Sequence, residues 1–488
     1  MKLKELIKDL DYRRLENINN FEVKGVSCNS DCIRPGYLFV AIKGEKNDGH
    51  NSAGQAVDRG AKAIIIQRDL PLKKIAKILV RDSRTALASV SASFFGHPSR
   101  RLKIIGITGT NGKTTVSYLL EKILACAGYP CGVIGTVNYR IQNRFFTAVN
   151  TTPSADILQY FLQEIVLAKS RYAIIEVSSH ALAQGRVEAI DFSSAIFTNL
   201  SKEHLDYHGS LNNYFHCKSI LFKKLSTHSW AIINTDDPFG RRLAKRVKSR
   251  LLTYGIEHAA RIRAKNLRLD IEGSKFTVVT PKGDIEITTS LIGRHNVYNI
   301  LAAIATAFVE NIDFFYIVQG IKCLTSIPGR LERIDCGQDF TVFVDYAHTA
   351  DALDRILRTL KQVGKNRVIL VFGCGGDRDK AKRPAMGRVA TRLSDFVILT
   401  NDNPRSENPR QIVSDILNGV DKKRDNYKVI LDRFQAIFEA FSFARSKDIV
   451  VIAGKGHESS QVFANKTVPF NDREVAIRIL QCLQSKRY

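Results

Sequence analysis

Lys103-Ile-Ile-Gly-Ile-Thr-Gly-Thr-Asn-Gly-Lys-Thr-Thr115 reads as a strand, a glycine turn and the first turn of a helix in unbroken succession. Ile104 to Ile107 makes a short buried strand, and Gly109, Gly112 and the polar residues between them cannot extend it. From Thr114 to Gly128 the apolar residues Val116, Leu119, Leu120 and Ile123 recur at helical spacing. Glycines let backbone N–H groups close on phosphate oxygens, and a helix N-terminus favours negative charge. The stretch therefore predicts a nucleotide-phosphate cradle of Gly109, Thr110, Asn111, Gly112, Lys113, Thr114 and Thr115. Lys113 reaches the terminal phosphates and the Thr114 hydroxyl helps hold Mg²⁺. The loop departs from the standard G-x-x-x-x-G-K pattern, because five residues separate Gly106 from Gly112. A glycine turn that only happens to carry a lysine is the competing reading. The Lys-Thr pair, with a strand before it and a helix after it, argues against that.

Outward from this stretch, length and charge bound the answer. A chain of 488 residues has room for about two to four domains. The nine cysteines form no Cys-x-x-Cys pair and no Cys/His metal spacing, which reads as reduced thiols in a cytoplasmic protein. The charged start Met1-Lys-Leu-Lys-Glu-Leu-Ile-Lys-Asp9 reads as a first helix and lacks a signal-peptide core. No apolar run approaches membrane-spanning length. The net charge of +25 favours acidic partners. Its densest run, Arg241 to Arg250, reads as the solvated face of a helix, and no nucleic-acid motif with interleaved aromatics accompanies it.

Apolar runs ending in polar residues recur along the chain. Tyr37–Ile42 and Ala63–Ile66 are strands of a first α/β unit, closed by a helix Ser83–Phe95 and the breaker His97-Pro-Ser-Arg-Arg101. In a second unit Tyr172–Val177, Ala195–Asn199 and Trp230–Asn234 are buried strands, and residues 262–290 alternate as antiparallel strands do. After Ile327-Pro-Gly-Arg330, the strands Phe340–Val344, Val368–Phe372, Phe396–Thr400 and Asp448–Ala453 alternate with helical segments, the pattern of a doubly wound sheet. The expected architecture is α/β in three domains: 1–98, a central parallel-sheet ATPase domain 99–328, and a Rossmann-like domain 329–488. Polar residues at strand ends are where such sheets take ligands. Glu176, at one such end, is a hard-oxygen candidate for Mg²⁺, and His204 follows another.

The order of motifs then resembles one family. Gly-Thr-Asn-Gly-Lys-Thr-Thr, Asn-Thr-Thr-Pro, Glu-Val-Ser-Ser-His, His-Leu-Asp-Tyr-His-Gly, Asn-Val-Tyr-Asn, Pro-Gly-Arg, Asp-Tyr-Ala-His, Gly-Gly-Asp-Arg-Asp, Asp-Asn-Pro-Arg and Gly-Lys-Gly-His-Glu occur in register over almost the whole chain. Together they resemble the Mur ligases, and the last two resemble the branch that uses diaminopimelate. The resemblance implies an ATP-dependent, ADP-forming joining of meso-diaminopimelate to UDP-MurNAc-L-Ala-D-Glu, in peptidoglycan synthesis, by a cytoplasmic monomer. It implies Thr114, Glu176 and His204 at Mg²⁺, and Asn296, Asn299, Arg330, Asp345 and His348 around ATP. It implies that Lys218 is carbamylated and becomes a further metal ligand; the local pattern alone reads as a surface lysine. For the UDP-linked substrate it implies Ser30, Glu45, Lys46, Asn47, Asn150, Thr151, Thr152, Ser178, Gln184 and Arg186. Asp31 stands where the family carries arginine, which puts the uridine contacts in question. For diaminopimelate it implies Arg378, Asp402, Asn403, Pro404, Arg405, Gly454 and Glu458. Arg405 is expected to grip the distal carboxylate, so that L-lysine, the competing amino acid, leaves a buried guanidinium without a partner. A folylpolyglutamate synthetase fits less well at Asp402–Arg405, and a nucleic-acid-binding P-loop ATPase rests on the charge alone.

Overall fold

A computed structural model of the chain describes residues 1–44, 47–364 and 366–485. These gather into two compact units: 1–263 with 279–283 and 298–320, and 264–278 with 284–297 and 321–488.

The first unit holds two sheets. In the N-terminal one the strands run Tyr12–Glu16, Ala76–Val80, Ala63–Ile66, Tyr37–Val40, Gly25–Ser27, parallel except at the Tyr12 edge. Alternate residues serve opposite faces. Leu38, Val40 and Ile65 pack with Ala86, Leu87 and Val90 of the helix Ser83–Phe94. Phe39, Ile64 and Ile66 pack with Ala53 and Ala56 of the helix Ala53–Asp58. Burial on both faces explains why these strands read as continuous apolar runs.

The central sheet places the strand Lys103–Thr108 between Ser194–Phe197 and Tyr172–Glu176. Beyond Ser194–Phe197 lie Trp230–Asn234 and Arg250–Gly255. Beyond Tyr172–Glu176 lie Cys131–Ile134 and the antiparallel pair Asn138–Ile141 and Arg144–Thr147. Glu176 registers with Ile107 and Phe197 with Thr108, so three carboxyl ends meet at one level. That level is a topological switch point, where open parallel sheets form a crevice.

The second unit contains the strands Ile262–Leu269 (from Ala264 on), Ser274–Thr280 and Gly283–Thr289 in large part. Its main sheet runs Glu332–Ile334, Thr341–Asp345, Ile449–Ala453, Val368–Phe372, Phe396–Leu399, Tyr427–Val429, parallel except at the first edge. Phe343, Leu370, Leu399 and Val451 face the helices Ala350–Val363, Lys382–Leu393 and Pro409–Leu417. Val342, Ile369, Ile398 and Val450 face Arg433–Phe443 and Asp472–Ser485. Among the described residues no helix is long and apolar enough to cross a membrane.

Two local expectations are corrected. The basic run Arg241–Arg250 is not one helix: Pro238–Ala244 ends inside it and the strand Arg250–Gly255 begins at its end, because strand pairing with Trp230–Asn234 overrides helical periodicity. The N-terminal helix is only Leu3–Leu6, and the strand Tyr12–Glu16 follows it.

Arg433 and Asp472, the latter at the start of its helix, form a fully buried pair. Nε and Nη2 of Arg433 donate to the two carboxylate oxygens at 2.7 Å, and Nη2 also donates to the Ala453 carbonyl. Breaking a buried pair strands a charge. Asp472→Asn should lower unfolding stability by about 3–5 kcal/mol, read by guanidinium denaturation; a loss under about 1 kcal/mol would contradict this.

Candidate functional site

Gly109 and Gly112 adopt φ of +147° and +90°, and the helix Lys113–Cys126 starts directly after. A Cβ on Gly109 would strike Thr198 Oγ1, and one on Gly112 would strike Asn299 Oδ1, so both positions require glycine for conformation and for space. The loop is pinned by the next strand end. Thr198 Oγ1 donates to the Asn111 carbonyl at 2.6 Å, Asn199 Nδ2 donates to the same oxygen, and Asn199 Oδ1 accepts from Asn111 N–H. The sequence reading assigned Thr198 and Asn199 no role; a polar pair directly after an apolar run was the available signal. Lys113 Nζ donates to the Gly109 and Thr110 carbonyls, both at 2.9 Å. Thr114 and Thr115 are buried.

Glu176 is almost fully buried at its strand end. Its carboxylate accepts from Thr114 Oγ1 at 2.9 Å, Thr136 Oγ1 at 2.8 Å, Thr136 N–H and Ser117 Oγ. Thr136 was missed by the sequence reading. Among the described residues no three His, Cys, Asp or Glu side chains gather as a metal cluster. The Thr114–Glu176 oxygens nevertheless fit Mg²⁺, which takes one or two carboxylates and completes its shell with phosphate oxygens and water.

His204 lies close enough to Lys113 and Lys218 for their charges to act on it. Its ring stands 5.0 Å from His180 and 6.2 Å from Tyr214. Burial lowers its pKa, with Glu203 opposing and the Lys113 and Lys218 charges adding. Lys218 is no surface lysine: it is 1% exposed. Its Nζ donates to the Gly109 carbonyl at 3.0 Å, the acceptor Lys113 also uses, and sits 4.4 Å from the Tyr214 ring centroid. Burial, with Lys113 adding to it, pushes this amine well below its ordinary range.

A cavity of about 420 Å³ is lined in part by Cys28, Arg84, Asn150, Gln184 and Arg186. Thr152 Oγ1 donates to the Glu176 carbonyl and accepts from Ser178 N–H. Thr151 shares a hydrogen bond with Thr136 at 3.1 Å. Arg186 donates to the Thr152 carbonyl and to Gln184 Oε1. Asn150 accepts at its carbonyl from Tyr139. One continuous network thus joins this cavity to Glu176. Ser30 bonds Gln55 at 3.0 Å, and Asp31 draws in Arg59 at 2.6 Å, which also donates to the Ser30 carbonyl. A guanidinium therefore stands at this turn, supplied by another segment. The Asn47 carbonyl accepts from Gly44; Glu45 and Lys46 lie outside the described residues.

The second unit carries its own polar group. Asp345 accepts from Leu331 and Ala347 N–H, and burial raises its pKa. Arg330 stacks over Tyr346 at 4.8 Å, and His348 donates to the Tyr346 carbonyl. Asn403 donates to Glu458 at 2.7 Å and accepts from Lys455, whose fully buried ammonium also meets Glu458. Asp402 is buried against Gly454, and burial raises its pKa. The Pro404 carbonyl crowds Gly376. Arg378 borders Gly375. Arg405 holds φ of +53°, and its Nη1 donates to the Gly376 carbonyl at 2.6 Å. The guanidinium finds this backbone partner because the Gly375-Gly376 turn approaches closely. Arg383, unforeseen, is fully buried and braces the turn through Glu407, Asp415 and the Gly375 carbonyl. Asn296 donates to the Ile292 carbonyl.

Three family models match in order: Mur ligase family, catalytic domain (residues 22–95), Mur ligase middle domain (107–307), and Mur ligase, glutamate ligase domain (329–456). The chain is 43% identical to the UDP-N-acetylmuramoyl-L-alanyl-D-glutamate–2,6-diaminopimelate ligase of Bacillus licheniformis, over 98% of this chain and 99% of that one. It is 42% identical to the ligase of the same name from Syntrophomonas wolfei, over 99% of both. A solved structure titled for the same ligase superposes with a TM-score of 0.68 at 33% identity, over 95% of each chain.

His208 bonds Ser179 at 3.0 Å, and burial beside His180 lowers its pKa from 6.5 to about 4. The unfolded chain then binds a proton that the folded chain refuses, so stability should fall as pH drops from 6.5 towards 4. His208→Gln should flatten that window in denaturation midpoints; an unchanged slope would assign the acid sensitivity elsewhere.

Proposed function

This chain belongs to the Mur ligase family, and from that premise we propose that it joins meso-diaminopimelate to the D-glutamate of UDP-MurNAc-L-Ala-D-Glu in the cytoplasm, converting ATP to ADP and phosphate. The observation that carries the reading is the end-to-end match to ligases named for that reaction. The built phosphate loop supports it.

A γ-carboxylate oxygen of the D-glutamate attacks the γ-phosphorus of ATP. The bond to ADP breaks and an acyl phosphate forms. The neutral amine of diaminopimelate then attacks the acyl carbon, phosphate leaves with the bonding pair, and the amine proton passes to solvent or base. The protein's part is positioning and charge stabilisation. Lys113 would leave the Gly109 and Thr110 carbonyls for the terminal phosphates, and Asn111, Gly112, Thr114 and Thr115 would line their path. Arg186, with Ser178 and Gln184, would orient the dipeptide carboxylates. Asn299, Arg330, Asp345 and His348 would each have a nucleotide-binding role. Asp402, Asn403, Arg405 and Glu458 would hold the amino acid. Thr114, Glu176 and His204 would hold Mg²⁺, which when bound supplies charge neutralisation at the transferred phosphoryl group.

Lys218 suits carbamylation. Burial and the Lys113 charge disfavour its protonated form; the neutral amine is the form that attacks CO₂, and the carbamate formed would be anionic beside Lys113. The reaction as a whole is tested by incubating the protein with ATP, Mg²⁺, the UDP-dipeptide and either diaminopimelate or L-lysine, and weighing the product. Lysine product in excess would overturn the reading.

Lys113→Ala should lower amide synthesis by roughly 10²-fold or more with little loss of stability; near-normal turnover would remove the loop from the reaction. Lys218→Ala should be inactive and partly restored by small carboxylic acids, and the native wild-type mass should exceed the sequence mass by one carbamate. Arg405→Ala should collapse kcat/KM for diaminopimelate while the poor lysine reaction changes little; equal losses would reduce Arg405 to a brace for the Gly376 turn.

A further inference from the structure

The cavity of the first unit contains two guanidiniums, and only one has a role so far. Arg186 rises from the segment after Gln184. Arg84 comes from the helix Ser83–Phe94 of the N-terminal sheet, and its Cβ stands 3.8 Å from where a Cβ on Gly185 would be. Both line the same space. Arg84 donates to the Lys43 carbonyl at 2.9 Å, and Arg186 donates to the Thr152 carbonyl and to Gln184. Neither forms an ion pair with a carboxylate among the described residues: their partners are neutral oxygens. Burial, and next the charge of Arg84, push the Arg186 guanidinium below its ordinary value. Two like charges around one cavity, whose lining among the described residues includes no acidic side chain, are an unfavourable arrangement unless a ligand brings negative charge.

We propose that Arg84 is a second anion-binding residue of this cavity, closing with Arg186 on a doubly charged group of the UDP-linked substrate. The inference rests on the reading of this cavity as the UDP-substrate site. The group has the chemistry of paired anionic oxygens, either the diphosphate or the dipeptide carboxylates. A guanidinium binds either through two parallel N–H···O bonds. The two cations come from different segments, so the ligand would also tie the N-terminal helix to the Gln184–Arg186 turn.

Arg84→Gln removes the charge and keeps a polar side chain with an N–H donor. Binding of UDP-MurNAc-L-Ala-D-Glu, of UDP-MurNAc and of UDP to the full-length protein is measured calorimetrically at two salt concentrations. For the variant, the dissociation constant of the full substrate should rise at least about tenfold, the scale of one charge-assisted hydrogen bond. Its salt dependence should weaken, while the melting temperature and ATP-analogue binding stay unchanged. Equal loss for all three ligands assigns Arg84 to the diphosphate, and loss confined to the dipeptide ligand assigns it to the carboxylates. A variant that binds the full substrate as tightly as wild type overturns the proposal. If wild type binds none of the three ligands, the reading of the cavity itself fails. Arg84→Lys should recover part of the affinity, which a role limited to holding Lys43 would not require.

Discussion

A parallel strand with helices on both of its faces can offer side chains to a ligand only at its ends. In the central sheet Ile104, Ile105, Ile107 and Ile174 are wholly buried, and polar residues begin where burial on both sides stops. Gly109, Glu176 and Thr198 stand at neighbouring carboxyl ends because Glu176 registers with Ile107 and Phe197 with Thr108. Shifting that register would separate the Thr114–Glu176 contact from the Asn111–Asn199 contact. The same constraint acts in the second unit, where Asp345 ends an apolar strand and Gly373, Asp402 and Gly454 each follow one.

The buried charges fall into two kinds. Arg433 with Asp472, and Arg383 with Glu407 and Asp415, are ion-pair networks in which the guanidiniums meet carboxylates directly. Arg383 holds Glu407 down to about 2. Such networks are costly to break and need no ligand. Around the phosphate loop and in the cavity, charged groups meet neutral partners. Glu176 meets hydroxyls and an N–H, Lys113 and Lys218 share a carbonyl, and Arg84 and Arg186 meet neutral oxygens. Of these groups, Lys218 and Arg186 have their charged forms disfavoured, chiefly by burial.

Much was legible in the sequence because it was contiguous. The strand, glycine turn and helix around Gly109 are set by residues that touch their chain neighbours, so periodicity and glycine placement suffice. The apolar runs at Tyr172, Ala195, Val368 and Asp448 marked strands for the same reason, and their polar last residues marked ligand-facing ends. Where local pattern misled, a distant partner had won. Arg241–Arg250 has helical composition, yet its end is drawn into pairing with Trp230.

The sequence by itself determined the phosphate loop, the alternation of strands and helices, and the motif order that places the chain in its family. Only the tertiary structure decided which polar groups meet. Lys218 reaches Gly109 across 109 residues, Asp31 recruits Arg59, Thr136 caps Glu176, and Arg84 faces the same cavity as Arg186. In the central sheet these meetings follow from a spatial order of strands that crosses back on itself around Lys103–Thr108. Local periodicity records which face of a strand is buried, but not which strand lies beside it.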